Sequence, residues 1–379
     1  MLTDPIVQLR RELHRHPELS GGESATAARM QQFLGDLQPD ELVAGLGGRG
    51  LAAVFAGADP GPTVLLRCEL DALPIEDQGP HAHRSAHPGV GHQCGHDGHM
   101  AILAAVASHL AQHRPRHGRV VLLFQPAEET GEGAAAVVAD PRFASLRPDW
   151  CFALHNVPGY PLGQLLLREG AFSCASRGMC IELIGKTAHA AQPETGLSPA
   201  PALCRLIAAL SSLPAGLAAE GEICFATVVG AKLGEQAFGT APGQASLWVT
   251  LRSERNESMQ RLVAHAEALV ASIAGESGLR HAIAYQDVFP ATCNAAEAIA
   301  QLRCAAAGRS AQWLDQPFRW SEDFGHFTEL ARGAMFGIGA GENSPELHHP
   351  DYDFPDALIA QAAEVFIDLV RECLKFGRS

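Results

Sequence analysis

The chain has 379 residues, of which 47% are hydrophobic and 18% are charged, so it can bury a sizeable core and is unlike a disordered chain in composition. Its formal net charge of −14 argues against a nucleic-acid partner, because phosphate binding needs clustered lysine and arginine. We find no apolar run long enough to predict a membrane-spanning helix and no pattern that predicts a secretory signal. The ten cysteines form no CxxC pair, so we interpret them as mostly buried, reduced thiols and expect a cytoplasmic protein.

The first half of the chain alternates between helix-like and strand-like patterns. Apolar residues recur at helical spacing in three segments, over residues 4–15, 24–37 and 98–112. Uninterrupted apolar runs predict short buried strands at 64–66, 120–124 and 150–154. Strands that alternate with helices indicate an α/β domain with a mostly parallel sheet.

The pattern changes from about residue 173. Four runs predict strands, at 180–184, 225–229, 246–251 and 281–285, and two predict helices, at 199–213 and 257–276. Their order, β-α-β-β-α-β, predicts a ferredoxin-like α+β domain inserted in the larger one. We therefore predict a discontinuous catalytic domain over residues 1–172 and 288–379, ending in a helix at 356–376, and an inserted domain over residues 173–287.

Short polar segments follow several of the strand-like runs of the larger domain. They contain five candidate metal ligands, which are Cys94, His96, Glu129, His155 and His348. Taken singly, each has a more ordinary explanation as a buried or solvated side chain, and only their joint occurrence points to metal. Loops at the carboxyl edge of an open α/β sheet build its binding site, and thiolate, imidazole and carboxylate groups are ligands of divalent metals. Two ions that share one ligand need two further ligands each, which is the number present.

Glu128 stands directly before the candidate ligand Glu129. Adjacent side chains point in different directions, so one carboxylate can bind metal while the other holds the attacking water. A carboxylate beside a metal-activated water can take its proton and pass it to the leaving amine. The pair therefore predicts that one of the two glutamates is the general base of a hydrolysis.

Seven motifs occur along the chain: LHRHPEL at 13–19, DALPI at 71–75, CGHDGH at 94–99, QPAEE at 125–129, ALH at 153–155, SEDF at 321–324 and LHHP at 347–350. This series resembles the amidohydrolase branch of the co-catalytic metallopeptidases, which includes hippurate hydrolases, N-acyl-amino-acid amidohydrolases and auxin-conjugate hydrolases. The resemblance covers nearly the whole chain and is most specific in the CGHDGH and QPAEE segments.

The resemblance implies a role for each candidate residue. Cys94 would bridge the two ions, Glu129 and His348 would complete one site, and His96 and His155 would complete the other. Glu128 would be the general base. The implied cofactors are two divalent ions per subunit, whose identity among zinc, manganese, cobalt and nickel stays open.

The inserted domain carries one further segment of this kind, GKTAHAAQP at 185–193. It is similar to a family segment whose histidine donates to the scissile carbonyl oxygen, in many members within the site of the partner subunit. The resemblance therefore implies His189 as an oxyanion donor. It also implies that the inserted domain is a lid or dimerisation domain, through which a homodimer forms. The alternative for His189 is a strand-end histidine that caps a turn.

We expect from these features a metal-dependent hydrolase of the amide bond of an N-acylated amino acid or a related small amide, with no covalent intermediate. One alternative is a binding protein that keeps the fold without turnover. Another is an amidase with Cys94 as nucleophile and His96 or His155 as its base.

Two features depart from the family pattern. Glu69 stands where the family usually has aspartate, and a longer carboxylate there can alter how nearby ligands are oriented. The stretch before Cys94 is rich in histidine, with His81, His83, His87 and His92. These histidines either line the substrate entrance or belong to a flexible loop, and we favour the loop.

Overall fold

The computed structural model describes residues 4–217 and 221–375. The α-helices of this part of the chain are α1 (Pro5–Arg15), α2 (Ser24–Asp36), α3 (His96–Gln112), α4 (Gly133–Ala139), α5 (Ala200–Ser212), α6 (Asn256–Glu276), α7 (Ala296–Ala305), α8 (Gly325–Thr328) and α9 (Leu358–Lys375). The strands are β1 (Glu41–Leu46), β2 (Gly50–Ala56), β3 (Asp59–Glu69), β4 (His117–Gln125), β5 (Trp150–Val157), β6 (Leu165–Leu167), β7 (Gly170–Ser173), β8 (Ala175–Ile184), β9 (Ala188–His189), β10 (Cys224–Leu233), β11 (Thr240–Ala241), β12 (Gln244–Ser253), β13 (Arg280–Phe289), β14 (Thr292–Asn294), β15 (Ala311–Trp313) and β16 (Arg332–Gly339).

The chain divides into two compact units. The first unit comprises Met1–Phe172, Thr292–Pro317 and Asp323–Ser379, and the second comprises Ser173–Ala291 and Phe318–Glu322. In the sequence, the second unit thus interrupts the first. Its role as a lid or dimerisation domain stays a prediction.

The first unit contains an eight-stranded sheet in the order β1-β2-β4-β3-β5-β16-β6-β15. Its central strands β4, β3, β5 and β16 are parallel, which confirms the predicted α/β class with a mostly parallel sheet. The sheet is nevertheless mixed, because β2 pairs antiparallel with both β1 and β4, and β6 pairs antiparallel with β16. The β1–β2 hairpin was not predicted, although Gly47 and Gly48, both with positive φ, form the kind of turn that marks a hairpin.

Helices α3 and α9 pack against each other in the core of the first unit. The small alanine side chains of α3 allow close packing, and its residue Gly98 lies so near the ring of Phe354 that an added Cβ would come within 2.2 Å of it. The predicted terminal helix at 356–376 begins two residues later, at Leu358, and is described to Lys375. Residue 376 lies outside the described residues.

The second unit is built on an antiparallel sheet of four strands in the order β10-β12-β8-β13. With helices α5 and α6, which pack against this sheet, the chain order is β-α-β-β-α-β. Order and topology confirm the predicted ferredoxin-like fold. Each strand is longer than predicted, because hydrogen-bonded pairing continues past the apolar centre into polar ends such as Arg280 of β13.

Two expectations from composition concern membranes and cysteines. Within residues 4–217 and 221–375, no helix has both the length and the apolar character to cross a membrane. Half of the ten cysteines are buried, namely Cys68, Cys94, Cys151, Cys174 and Cys373, whereas Cys204, Cys293 and Cys304 are exposed. The prediction that most are buried is therefore too strong.

Candidate metal centre

The five predicted ligands all belong to the first unit and lie in loops that follow its strands, near a strand end or, for His96, at the start of α3. The structure brings them together in two overlapping groups, Cys94 with His96 and His155, and Cys94 with Glu129 and His348. Within each group the ligand atoms lie within 4.8 Å of one another. Cys94 is the member that both groups share, which is the position a bridging thiolate requires.

Cys94 and His155 make the most direct contact in the centre. The Cys94 Sγ atom lies 3.5 Å from Nε2 of His155, near the carboxyl end of β5. On the other side of the ring, Nδ1 of His155 donates to the carbonyl oxygen of Asn156 at 2.8 Å. Burial lowers the pKa of His155, which favours the neutral imidazole that metals bind.

His96, the first residue of α3, is oriented by the backbone of Asp71. Its Nδ1 donates to the Asp71 carbonyl oxygen at 2.9 Å, so the opposite nitrogen, Nε2, faces into the centre. That Nε2 is buried, makes no hydrogen bond in the described part of the chain, and lies 3.8 Å from carboxylate oxygens of Glu128 and Glu129. A buried ring nitrogen that faces carboxylates in this way is suited to a metal ion.

The two glutamates follow β4 in a loop with an unusual backbone. Ala127, directly before them, has a φ of 49°, in the left-handed region that non-glycine residues rarely adopt. Hydrogen bonds hold this conformation, since Ala127 N donates to Glu23 Oε1 at 2.8 Å and Glu129 N donates to Asp71 Oδ2 at 2.9 Å. Both carboxylates nevertheless lie 3.8 Å from Nε2 of His96, so their division of labour stays a prediction.

His348 is the most exposed of the five ligands, with 51% of its side chain accessible. Its backbone is also left-handed, with a φ of 66°, and its N–H donates to the carbonyl oxygen of Gln93 at 2.9 Å. Its Nε2 lies 4.0 Å from Oε2 of Glu129. The loop thus presents an accessible imidazole beside the carboxylate with which it was predicted to share an ion.

The electrostatics of the centre favour bound cations. Burial lowers the pKa of His96, but its hydrogen bond to Asp71 and the charges of Glu69 and Glu129 outweigh burial and raise that pKa to about 10. The surplus of carboxylates is therefore large enough to hold a positive charge at a fully buried position. Together with the uncommitted Nε2 of His96 and the thiolate, imidazole and carboxylate donors, this shows that the residues fit two divalent ions.

Sequence reasoning missed the residue that supports both metal sets. Asp71 fixes His96 through its carbonyl oxygen and Glu129 through its carboxylate. The only signal was its place in the DALPI motif. Glu69, by contrast, was expected to influence the orientation of the ligands. The structure shows that its Oε2 accepts a hydrogen bond from Nδ1 of His99 at 2.6 Å. His99 in turn contacts the side chain of Asn156, whose Nδ2 donates to the carbonyl oxygen of Cys94.

His189 lies in the second unit, in the short strand β9. The residue is exposed, and the backbone N–H of Ala191 donates to its Nδ1 at 3.1 Å. This bond is the kind that a turn-capping histidine makes, so it supports the alternative, while the oxyanion role stays a prediction.

The fold and this centre define a hydrolase with a metal-binding α/β unit. The chain belongs to peptidase family M20/M25/M40, whose model matches residues 65–372, and the resemblance seen in the motifs is thereby confirmed.

Two relatives and a solved structure agree with this membership. The chain is 30% identical to a hippurate hydrolase of Campylobacter jejuni, over 97% of this chain and 96% of that protein. It is also 30% identical to an N-acetyl-L-cysteine deacetylase of Bacillus subtilis, over 98% of this chain and 89% of that protein. A crystal structure described as a dinuclear metal binding peptidase of the M20 family, from Bacillus subtilis, matches with a TM-score of 0.83 at 26% identity and covers 98% of both chains.

Proposed function

We propose that this protein is a metal-dependent amidohydrolase that cleaves the amide bond of an N-acylated amino acid. The observation that carries the proposal is the pair of ligand groups that share Cys94, with Glu128 beside them. The relatives named as a hippurate hydrolase and an N-acetyl-L-cysteine deacetylase support the substrate class, because both names denote hydrolysis of an N-acyl amino acid.

In the proposed mechanism, each side chain has a separate task. Cys94 would be shared, Glu129 and His348 would hold one ion, and His96 and His155 would hold the other. When bound, two divalent ions of zinc, manganese, cobalt or nickel would acidify water and polarise the substrate carbonyl. Glu128 is 4% exposed, and its carboxylate lies 3.8 Å from Nε2 of His96. It takes the proton of the attacking water and delivers it to the leaving amine nitrogen.

The test is to remove metal with a chelator and restore it one ion at a time. Hydrolysis of a panel of N-acetyl and N-benzoyl amino acids should fall to background in the stripped protein and return with at least one of zinc, manganese, cobalt and nickel. Folded, fully metallated protein that hydrolyses no member of the panel would favour the alternative of a binding protein without turnover.

A cysteine amidase is a second candidate, because Cys94 Sγ and His155 Nε2 lie 3.5 Å apart. Glu129 lies in the same cluster, and its negative charge disfavours a free thiolate unless cations are present. The two functions differ in the same assay. Turnover that resists the chelator and is lost on alkylation of Cys94 would support the cysteine amidase and contradict the metal mechanism.

The oxyanion role proposed for His189 gives a further expected result. His189→Ala should lower kcat by about 10²–10³-fold, because the developing oxyanion loses a hydrogen-bond donor. Steady-state kinetics on the best substrate of the panel measure this, with His281→Ala as the control, since His281 is also an exposed histidine of the second unit. A kcat within about twofold of wild type for His189→Ala would leave only the turn-capping role.

We also propose that the protein forms a homodimer through the second unit and that it is located in the cytoplasm. The edge strand β10 supports the dimer, because it carries exposed apolar side chains, with Val229 62% and Leu233 41% accessible. An edge strand with such residues is prone to pair with another chain. The cytoplasmic location is supported by the cysteine pattern alone.

A further inference from the structure

A second cluster of histidine and aspartate side chains lies in the first unit and shares no residue with the candidate metal centre. It consists of His14 from α1 and of Asp77 and His81 from the histidine-rich segment before α3, and we call it the His14 cluster. His14 is fully buried, Asp77 is nearly so, and His81 is 11% exposed. The segment over residues 81–92 is a loop, and the structure ties it to the helix α1 through this cluster. The flexibility expected of this loop stays a prediction.

Three ligand atoms of the His14 cluster form a nearly equilateral triangle. The Nε2 atoms of His14 and His81 are 3.1 Å apart, and Oδ2 of Asp77 lies 3.3 Å from the first and 3.4 Å from the second. At metal–ligand distances of about 2.0–2.1 Å, the ligand atoms of a tetrahedral ion are about 3.3–3.4 Å apart. A single point about 2 Å from all three atoms therefore exists, and the side chains need not move to reach it.

Neighbouring groups orient two of the three ligands, His14 and Asp77. Nδ1 of His14 donates to Oδ2 of Asp97 at 2.9 Å, so neutral His14 carries its proton on Nδ1 and turns a bare Nε2 toward the triangle. Metal-binding histidines in proteins usually have such a carboxylate behind them. The carboxylate of Asp77 is fixed by the backbone N–H groups of Gly79 and Ser85, at 2.9 and 2.8 Å.

We propose that the His14 cluster binds one divalent first-row transition ion, with His14, His81 and Asp77 as its protein ligands. Imidazole and carboxylate donors without a thiolate suit zinc, cobalt, nickel and manganese. A site with three protein ligands leaves one tetrahedral position for water. This site does not depend on the proposed hydrolytic function.

The charges around the cluster favour a cation. Burial lowers the pKa of His14, but the carboxylates of Asp97 and Asp77 outweigh burial and raise that pKa to about 9. The guanidinium of Arg10 is close by, yet its charge is met by Asp97, Asp353 and Asp356 at 3.2, 2.6 and 2.8 Å. Without an ion, a proton between the two imidazoles, or between His14 and Asp77, would account for these short contacts.

The consequence of binding would be structural. The ion joins α1, near the start of the chain, to the loop that leads into Cys94 and His96. Because a metal ion that binds only the folded chain adds its binding free energy to folding, occupancy should stabilise the first unit.

The experiment counts metal ions in three proteins, the wild type, His81→Ala and His87→Ala. His87 is an exposed histidine of the same loop and no member of the cluster, so it is the matched control. Each full-length protein is stripped with a chelator, dialysed against Co²⁺ and analysed by elemental mass spectrometry and visible absorption. We expect the wild type and His87→Ala to bind one more ion per subunit than His81→Ala. The thiolate charge-transfer band that reports an ion at Cys94 should be the same in all three.

Equal metal content in the wild type and His81→Ala would overturn the proposal. If His81→Ala does not fold, His81→Gln fills the same space without the second imidazole and takes its place. A titration of stripped wild-type protein gives an answer that needs no variant. Ligand-field absorption should keep rising for one equivalent of Co²⁺ beyond those that raise the thiolate charge-transfer band. The absence of that further equivalent would equally overturn the proposal.

Discussion

Glu128→Gln is expected to lower kcat by about 10²–10⁴-fold while the content of bound metal stays unchanged. Glutamine has nearly the same shape as glutamate, but it cannot take a proton from water. Glu128 is 4% exposed and its carboxylate lies 3.8 Å from Nε2 of His96, so the amide occupies the same position beside the centre. Steady-state kinetics on an N-acyl amino acid, together with elemental analysis of the same sample, measure both quantities.

Two neighbours of Glu128 are matched controls for this result. Glu129→Gln removes a predicted ligand, so it should lower metal content together with activity. Glu132→Gln alters an exposed carboxylate of the same loop and should leave both near wild type. Near-normal turnover in Glu128→Gln would contradict its role as the general base, and loss of metal in that variant would make Glu128 a ligand instead.

Arg67→Met should destabilise the protein by about 3–5 kcal/mol, the cost typical of removing one partner from a buried ion pair. The Arg67 side chain is fully buried and donates from Nη1 to Glu69, from Nη2 to Asp323 at 2.5 Å and from Nε to Gln125 at 2.8 Å. Methionine fills much of the space but leaves two carboxylates buried without the cation they share. Urea unfolding followed by circular dichroism measures the loss.

The control for Arg67→Met is a surface ion pair of the same unit. Arg114 contacts Asp40 at 2.6 Å with both side chains partly exposed, so Arg114→Met should cost less than about 1 kcal/mol. A loss for Arg67→Met no larger than that of the control would show that the buried carboxylates find other partners or take up protons at little cost.

Much of the candidate site could be predicted because its chemistry is encoded locally. Two pairs of site residues are close in the sequence, Cys94 with His96 and Glu128 with Glu129. Nearby apolar runs mark the strands, whose carboxyl ends meet at one edge of a parallel sheet. The ligand roles follow from the resemblance, and the structure places the two predicted groups together around Cys94.

The supporting contacts could not be predicted, because they join positions far apart in the chain. Arg67 meets Asp323 across 256 positions, and no periodicity links a basic residue in a strand to an acidic one near a short helix. The His14 cluster could not be predicted for the same reason, because His14 is far from the other two members in the chain. A histidine-rich loop looks like a solvated segment until α1 supplies His14 and Asp97 fixes its tautomer.

The left-handed backbone at Ala127 and His348 bears on how this enzyme can evolve. A non-glycine residue in a sparsely populated conformation costs about 1–3 kcal/mol, and of the four such residues in the described part of the chain these two lie beside or within the predicted ligand set. The native fold is therefore less stable than it would be with a relaxed loop at either place. Selection for heat resistance alone should favour replacements at these two positions, and the hardier variants that it yields should be the slower catalysts.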